Sequence, residues 1–193
     1  MDNNNSQNYY SNIQLLHKRN NHHHHKHHNN QRGQHKLNTK CCCKKTLFSI
    51  VLTGDQLTNK VDTPAIGQGY AYLCHCYSPP KLYYKIKFQN LKAPLDEPDI
   101  GIGSVHFHNA DVGKDGNIVK NIDSNVKTDQ FHRNGIISGI WSSDDNFQPL
   151  TNHLISRLLN DGIYIILHTK YHPDGEIRGQ LFTIPDFHIN YNN

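Results

Sequence analysis

The chain has 193 residues, 35% of them hydrophobic, enough to bury one ordinary core and too few for several domains. Its net charge of +4 is unevenly placed: residues 1–46 hold eight Lys/Arg and one acid, a charge of +7, while the remainder hold twelve Lys/Arg and fifteen Asp/Glu, a charge of −3. No stretch is apolar for long enough to span a bilayer, and the five cysteines show no Cys-x-x-Cys spacing, which argues against a zinc-finger site or a disulfide framework.

Residues 1–46 are low in complexity and rich in Asn, His and Lys, with too few apolar side chains to offset the entropy of ordering, so a disordered arm is expected. Within it, the tract HHHHKHH at 22–28 would capture Zn, Cu or Ni loosely through neutral imidazoles. Its basic character suggests contact with nucleic acid or an anionic membrane, set against a merely solvated tail. Cys41, Cys42 and Cys43 stand beside Lys44 and Lys45, a pairing that would suit acylation reinforced by basic residues. No apolar leader is visible, so a reducing, cytoplasmic setting is favoured over secretion.

From Leu47 the pattern changes to short alternating segments separated by turn residues. LFSIVLTG opens the domain. In KLYYKIKFQ, Leu82, Tyr84, Ile86 and Phe88 share one face and Lys81, Tyr83, Lys85 and Lys87 the other, the period of two of a half-buried antiparallel strand. GQGYAYLCHCY is its expected hairpin partner through Ser-Pro-Pro. GIGSVHFH predicts a strand with Val105 and Phe107 on one face and Ser104, His106 and His108 on the other; GNIVKNI and GIISGIW predict two more. One helix is expected in PLTNHLISRLLNDG, where Leu150, Leu154, Ile155, Leu158 and Leu159 recur at helical spacing. Thr151 or Asn152 would cap its start, and Gly162 would end it in the left-handed conformation.

The segment GIYIILHTKYHPDGEIRGQLF predicts a final hairpin turning at Pro173-Asp174-Gly175, with Gly175 at positive φ. That register sets His172 near Glu176, Lys170 near Arg178 and His168 near Gln180. Odd positions 163–171 would face the core with Ile177 and Leu181, leaving His168, Glu176, Arg178 and Gln180 on a second, polar face. Short strands, many turns and one helix favour an all-β antiparallel sandwich or barrel, with a tail from residue 186 to 193.

At this point HTKYHPDGEIRGQL resembles the C-terminal signature of the CHRD domain, the module named after chordin. LTGDQ with TPAIGQGYA, then SVHFHNADVGKDGNIV, then LLNDGIYIILHT resemble the family's other segments in order. The resemblance covers about Leu47 to Phe182 and implies an immunoglobulin-like or superoxide-dismutase-like sandwich over residues 47–185. His106, His108, His168, Gly175, Glu176, Arg178 and Gly179 then stand as the family's motif and structural polar network. In chordin such domains belong to a secreted antagonist of growth factors, but this chain holds one copy without accompanying cysteine-rich modules.

Two functions follow as expectations. The first is a non-enzymatic interaction protein whose partner is another protein, since no hydrolytic constellation is spaced around Glu176 and Arg178. In that case the histidines hydrogen-bond to backbone or to Glu176, and Arg178 forks to Asp111 or Asp115 to fix the loop after His108. The second is a zinc or copper site on His106, His108 and His168, with His132, His172 or Asp111 as further ligands. GKDG at 113–116 lacks the spacing of a phosphate loop, and Asp111, Asp115 and Asn117 lack that of a calcium loop. Tyrosines and lysines around YYKIK would suit a nucleic-acid strand or glycan, set against ordinary core or cross-strand pairing.

Overall fold

The computed structural model describes residues 45–75, 77–95 and 104–185. The basic arm up to Lys44, the His tract, Cys41 to Cys43, Cys76 and the tail from residue 186 lie outside the described residues. Nine strands and one helix follow in chain order: β1 (Lys45–Leu52), β2 (Ile66–Cys74), β3 (Lys81–Gln89), β4 (Val105–Asn109), β5 (Asn117–Asn121), β6 (Val126–Thr128), β7 (Gly135–Trp141), α1 (Asn152–Leu159), β8 (Ile163–Thr169) and β9 (His172–Thr183).

The strands form one antiparallel sheet in the order β5-β4-β8-β9-β1-β2-β3-β7-β6. The sheet curls on itself. Phe107 of β4 stacks on Trp141 of β7, with ring centroids 5.6 Å apart, and meets Tyr84 of β3 edge-on at 5.1 Å. These strands are distant in the sheet order, so two leaves must face each other across a shared core. The core draws from both leaves, and Leu150, Leu154 and Leu158 join it from α1 and the turn before it. The all-β expectation with one short helix therefore holds.

Periodicity explains most of this. β3 alternates buried and open positions along its length, as the sequence pattern required. Thr151 caps α1, its hydroxyl accepting from the Leu154 N–H at 3.3 Å. The helix end differs from expectation. Asp161, not Gly162, adopts the left-handed conformation, at φ 53°. Gly162 instead leaves room for the Arg157 guanidinium, whose carbon a Cβ there would approach to 2.5 Å unless that side chain moved. β6 has no clear alternation in sequence; it exists because Val126–Thr128 pairs with β7.

The final hairpin corrects the predicted turn. The chain reverses at Lys170-Tyr171, and His172 pairs with Thr169. Pro173, Asp174 and Gly175 form an irregularity within β9, with Gly175 at φ 119°. Beyond it Leu167 pairs with Ile177, Ile166 with Arg178 and Tyr164 with Gln180. Arg178 thus pairs four residues earlier than expected. An even shift preserves the face, so Arg178 and Gln180 still share a side with Tyr164 and His168. At the end of β9 the strand passes from β8 to β1, with Leu181 opposite Ile50. Gly179 permits that approach, because a Cβ there would meet the Val51 carbonyl oxygen at 2.5 Å.

The facing-leaf arrangement gives a direct test. Phe107→Ala removes the ring between Tyr84 and Trp141 at a fully buried position. It should cost about 3–5 kcal/mol, read as a lowered urea midpoint with an unchanged denaturant slope.

Candidate functional site

The side of β4, β8 and β9 that faces away from the shared core is also buried. Leu57, Tyr164 and Ile166 form a second apolar cluster there, with Val61 and Ala110 packed against it. The loops around 57–61 and 110–117 supply the cover. His106 and His108, expected on a polar or solvated face, are therefore 0% and 8% exposed.

Adjacent strands bring the three histidines together. His106 lies opposite Ile166, His108 opposite Tyr164, and the His168 N–H donates to the Ser104 carbonyl at 2.8 Å. The start of β4 is pinned by Asp123, whose carboxylate accepts from Ser104 N, Ser104 Oγ and Val105 N. The ring centroids are 5.7 Å apart for His106–His108, 5.0 Å for His106–His168 and 6.4 Å for His108–His168. One nitrogen from each ring falls within 4.8 Å of the other two.

Hydrogen bonds select the ring nitrogens. His108 Nδ1 donates to the Gly116 carbonyl at 2.9 Å, and His168 Nδ1 donates to the Pro173 carbonyl at 2.8 Å. A carbonyl only accepts, so both rings carry a proton on Nδ1, and in the neutral ring the lone pair is on Nε2. His108 Nε2 is buried with no hydrogen-bond partner. Burial pushes the His108 pKa down to about 4, aided by the neighbouring His106, His168 and Arg178 and opposed by the Gly116 bond. At neutral pH this imidazole is uncharged.

A tetrahedral ion with nitrogen ligands at about 2.0–2.1 Å holds them roughly 3.4 Å apart. The observed limit of 4.8 Å leaves the nitrogens at most about 1.4 Å to close, within reach of side-chain rotations. Among the described residues the group contains these three histidines alone. His132 is exposed and bonds Thr128; Asp111 is ion-paired to Arg157 at 2.6 Å. Neither His132, His172 nor Asp111 joins the cluster. Asp115 accepts from Thr58, so Asp111 and Asp115 are also drawn apart as cation ligands.

Glu176 and Arg178 do other work. Glu176, 0% exposed, accepts from Thr63 Oγ1, the Lys92 N–H and Thr169 Oγ1, at 2.7, 2.7 and 2.8 Å. It ties three separate segments together, and the expected bond from Glu176 to a histidine is replaced by these. Arg178, 1% exposed, lies over the Tyr164 ring at 3.8 Å and donates through Nη2 to the Lys114 carbonyl at 2.8 Å. The expected fork to a carboxylate is reduced to a 3.8 Å approach to Asp115. Gln180 donates to the Ala110 carbonyl, and the Gly116 N–H donates to the Tyr164 hydroxyl at 2.9 Å. Tyr164 stacks on His108 at 4.9 Å.

The 110–117 loop that orients His108 is thus held by Arg178, Gln180 and Tyr164. Gly175 completes the packing, since a Cβ there would press Ile166 at 2.9 Å. The partners that fix the two histidine tautomers are main-chain carbonyls of Gly116 and Pro173, which leave no signature in side-chain patterns.

A family model described as CHRD domain matches residues 48–181. Comparison with curated proteins and with solved structures gives no match.

His108 makes stability pH-dependent. Its folded pKa is lowered from 6.5 to about 4, so the unfolded chain binds the proton first. The stabilisation is complete above about pH 6.5 and is lost as pH falls toward 4, by roughly 2 kcal/mol. Urea titrations of the metal-free protein across this window should show the decline, and His108→Gln should flatten it.

Proposed function

The chain belongs to the CHRD-domain family, and from that premise we propose a non-enzymatic binding module that holds a zinc or copper ion on His106, His108 and His168. One observation carries this reading: three imidazoles from two adjacent strands converge within 4.8 Å, two of them with Nδ1–H donated to a backbone carbonyl. Donation from the outer nitrogen fixes ring orientation and raises the basicity of the inner one, as histidine ligands require. The lowered His108 pKa favours the same outcome, because an ion then displaces no proton from it at neutral pH.

Burial argues further for an ion. Two buried histidines with a third half-buried beside them are a costly way to hold two loops, which Arg178, Gln180 and Glu176 already anchor. Borderline ligands of this type suit zinc and copper rather than calcium or magnesium. The role assigned is binding and not turnover, since among the described residues no nucleophile, general base pair or redox partner is arranged around the three rings. Family membership is equally compatible with a protein partner, and a metal that stiffens β4, β8 and the 110–117 loop would shape the surface offered to it.

The His-rich stretch at 22–28 also chelates, so the informative readout is stability of the folded body. Zinc or copper(I) at about 100 times its Kd should stabilise the full chain by about 2.7 kcal/mol. His168→Gln should abolish that gain while leaving the metal-free stability nearly unchanged. Replacing the histidines of 22–28 should retain it. A full chain whose melting temperature ignores both ions removes the reading.

A further inference from the structure

The opposite leaf carries a second surface that the histidine site does not use. Paired residues on neighbouring strands project to one side, so the registers define its outward rows. One row runs Phe182, Ser49, Tyr70, Lys85 and Ser138; the next runs Val51, Gln68, Lys87, Ile136 and Lys127. A third places Tyr72 beside Tyr83, their rings stacked at 4.9 Å, with Lys45 Nζ 4.9 Å from the Tyr72 centroid. Across β1, β2, β3, β6 and β7 the outward positions hold five lysines and no Asp or Glu.

We infer that this sheet face binds single-stranded nucleic acid. Lysines in adjacent rows match a chain of phosphates, and aromatic side chains between them offer surface on which bases stack regardless of sequence. Phe182 is 41% exposed, and Lys85 and Lys87 stand open on the central strand. Charge supports the same occupant: residues 47–193 carry a net −3, yet every charged residue in these outward rows is a lysine, one of which, Lys81, is ion-paired to Asp144 at 3.2 Å.

Shape distinguishes the occupant from its rivals. An open face of paired strands presents no helix or protruding ribbon that could enter a duplex groove. The exposed apolar residues on it, Val51, Ile66, Ile136 and Ile140, are interspersed with Gln68, Lys87 and Ser138 in the outward rows, and the vesicle arm of the test separates a lipid surface from a nucleic-acid strand.

The test uses the full chain and fluorescence anisotropy with a labelled 12-nucleotide single strand, its duplex, and phosphatidylserine vesicles. Lys85→Glu with Lys87→Glu should weaken single-strand binding at least about tenfold and lower the salt slope by about 1 to 2. Phe182→Ser should weaken it about fivefold or more through lost stacking. Lys60→Glu with Lys170→Glu, which makes the same charge change away from this face, should leave affinity within about twofold. Circular dichroism confirms that each variant is folded. Equal losses in the two double variants, duplex bound as tightly as single strand, vesicle binding alone, or no binding at all would each overturn the inference.

Discussion

Two charged side chains, Glu176 and Arg178, are buried on one strand without contacting each other, and the rest of the histidine-bearing leaf is organised around keeping them satisfied. An unpaired buried charge costs several kcal/mol. Glu176 avoids this with three donors from the segments at Thr63, Lys92 and Thr169. Arg178 meets the Lys114 carbonyl and Gln180 through Nη2 and lies on the face of Tyr164, while among the described residues its buried Nη1 makes no hydrogen bond and has only Asp115, at 3.8 Å, to offset its charge. Each solution recruits a loop. Those loops in turn roof the polar side of the sheet and remove His106 and His108 from water.

The consequence reaches the site through geometry. Once Arg178, Gln180 and Tyr164 hold residues 110–117, the Gly116 carbonyl is fixed where His108 Nδ1 can donate to it. The irregularity at Pro173 to Gly175 likewise supplies the carbonyl that takes the His168 proton. The histidines are oriented by backbone, and the backbone is oriented by the buried charges. The motif Gly175-Glu176-Ile177-Arg178-Gly179-Gln180 therefore acts as a single anchoring element, with its glycines chosen for close contact at Ile166 and at Val51.

The two leaves share a core but face different environments. One leaf hides its outer side beneath loops and concentrates imidazoles there. The other leaves its outer side open and lines it with lysine and tyrosine. A single antiparallel sheet permits both because successive residues alternate between faces, so one set of strands packs Phe107, Trp141 and Ile86 inward while its other positions stay independent of the core.

The sequence by itself determined the period-two strands, the single helix with its start at Thr151 or Asn152, the polar side of β4 and β9, and the family to which the chain belongs. These depend on local patterns: alternation, helical spacing and a motif of contiguous residues. Tertiary structure decided the rest. It set the turn at Lys170-Tyr171, because the pairing of Leu167 with Ile177 outweighs the local preference of Pro-Asp-Gly for a turn. It gave Glu176 the partners Thr63, Thr169 and the Lys92 N–H, two of them more than 80 residues away and one a main-chain group. It also brought buried His106 and His108 together with half-buried His168, since β4 and β8 are adjacent only after the sheet has formed. Spacing along a chain records which face a side chain takes; which other faces it meets depends on strand order and on the loops that close over it.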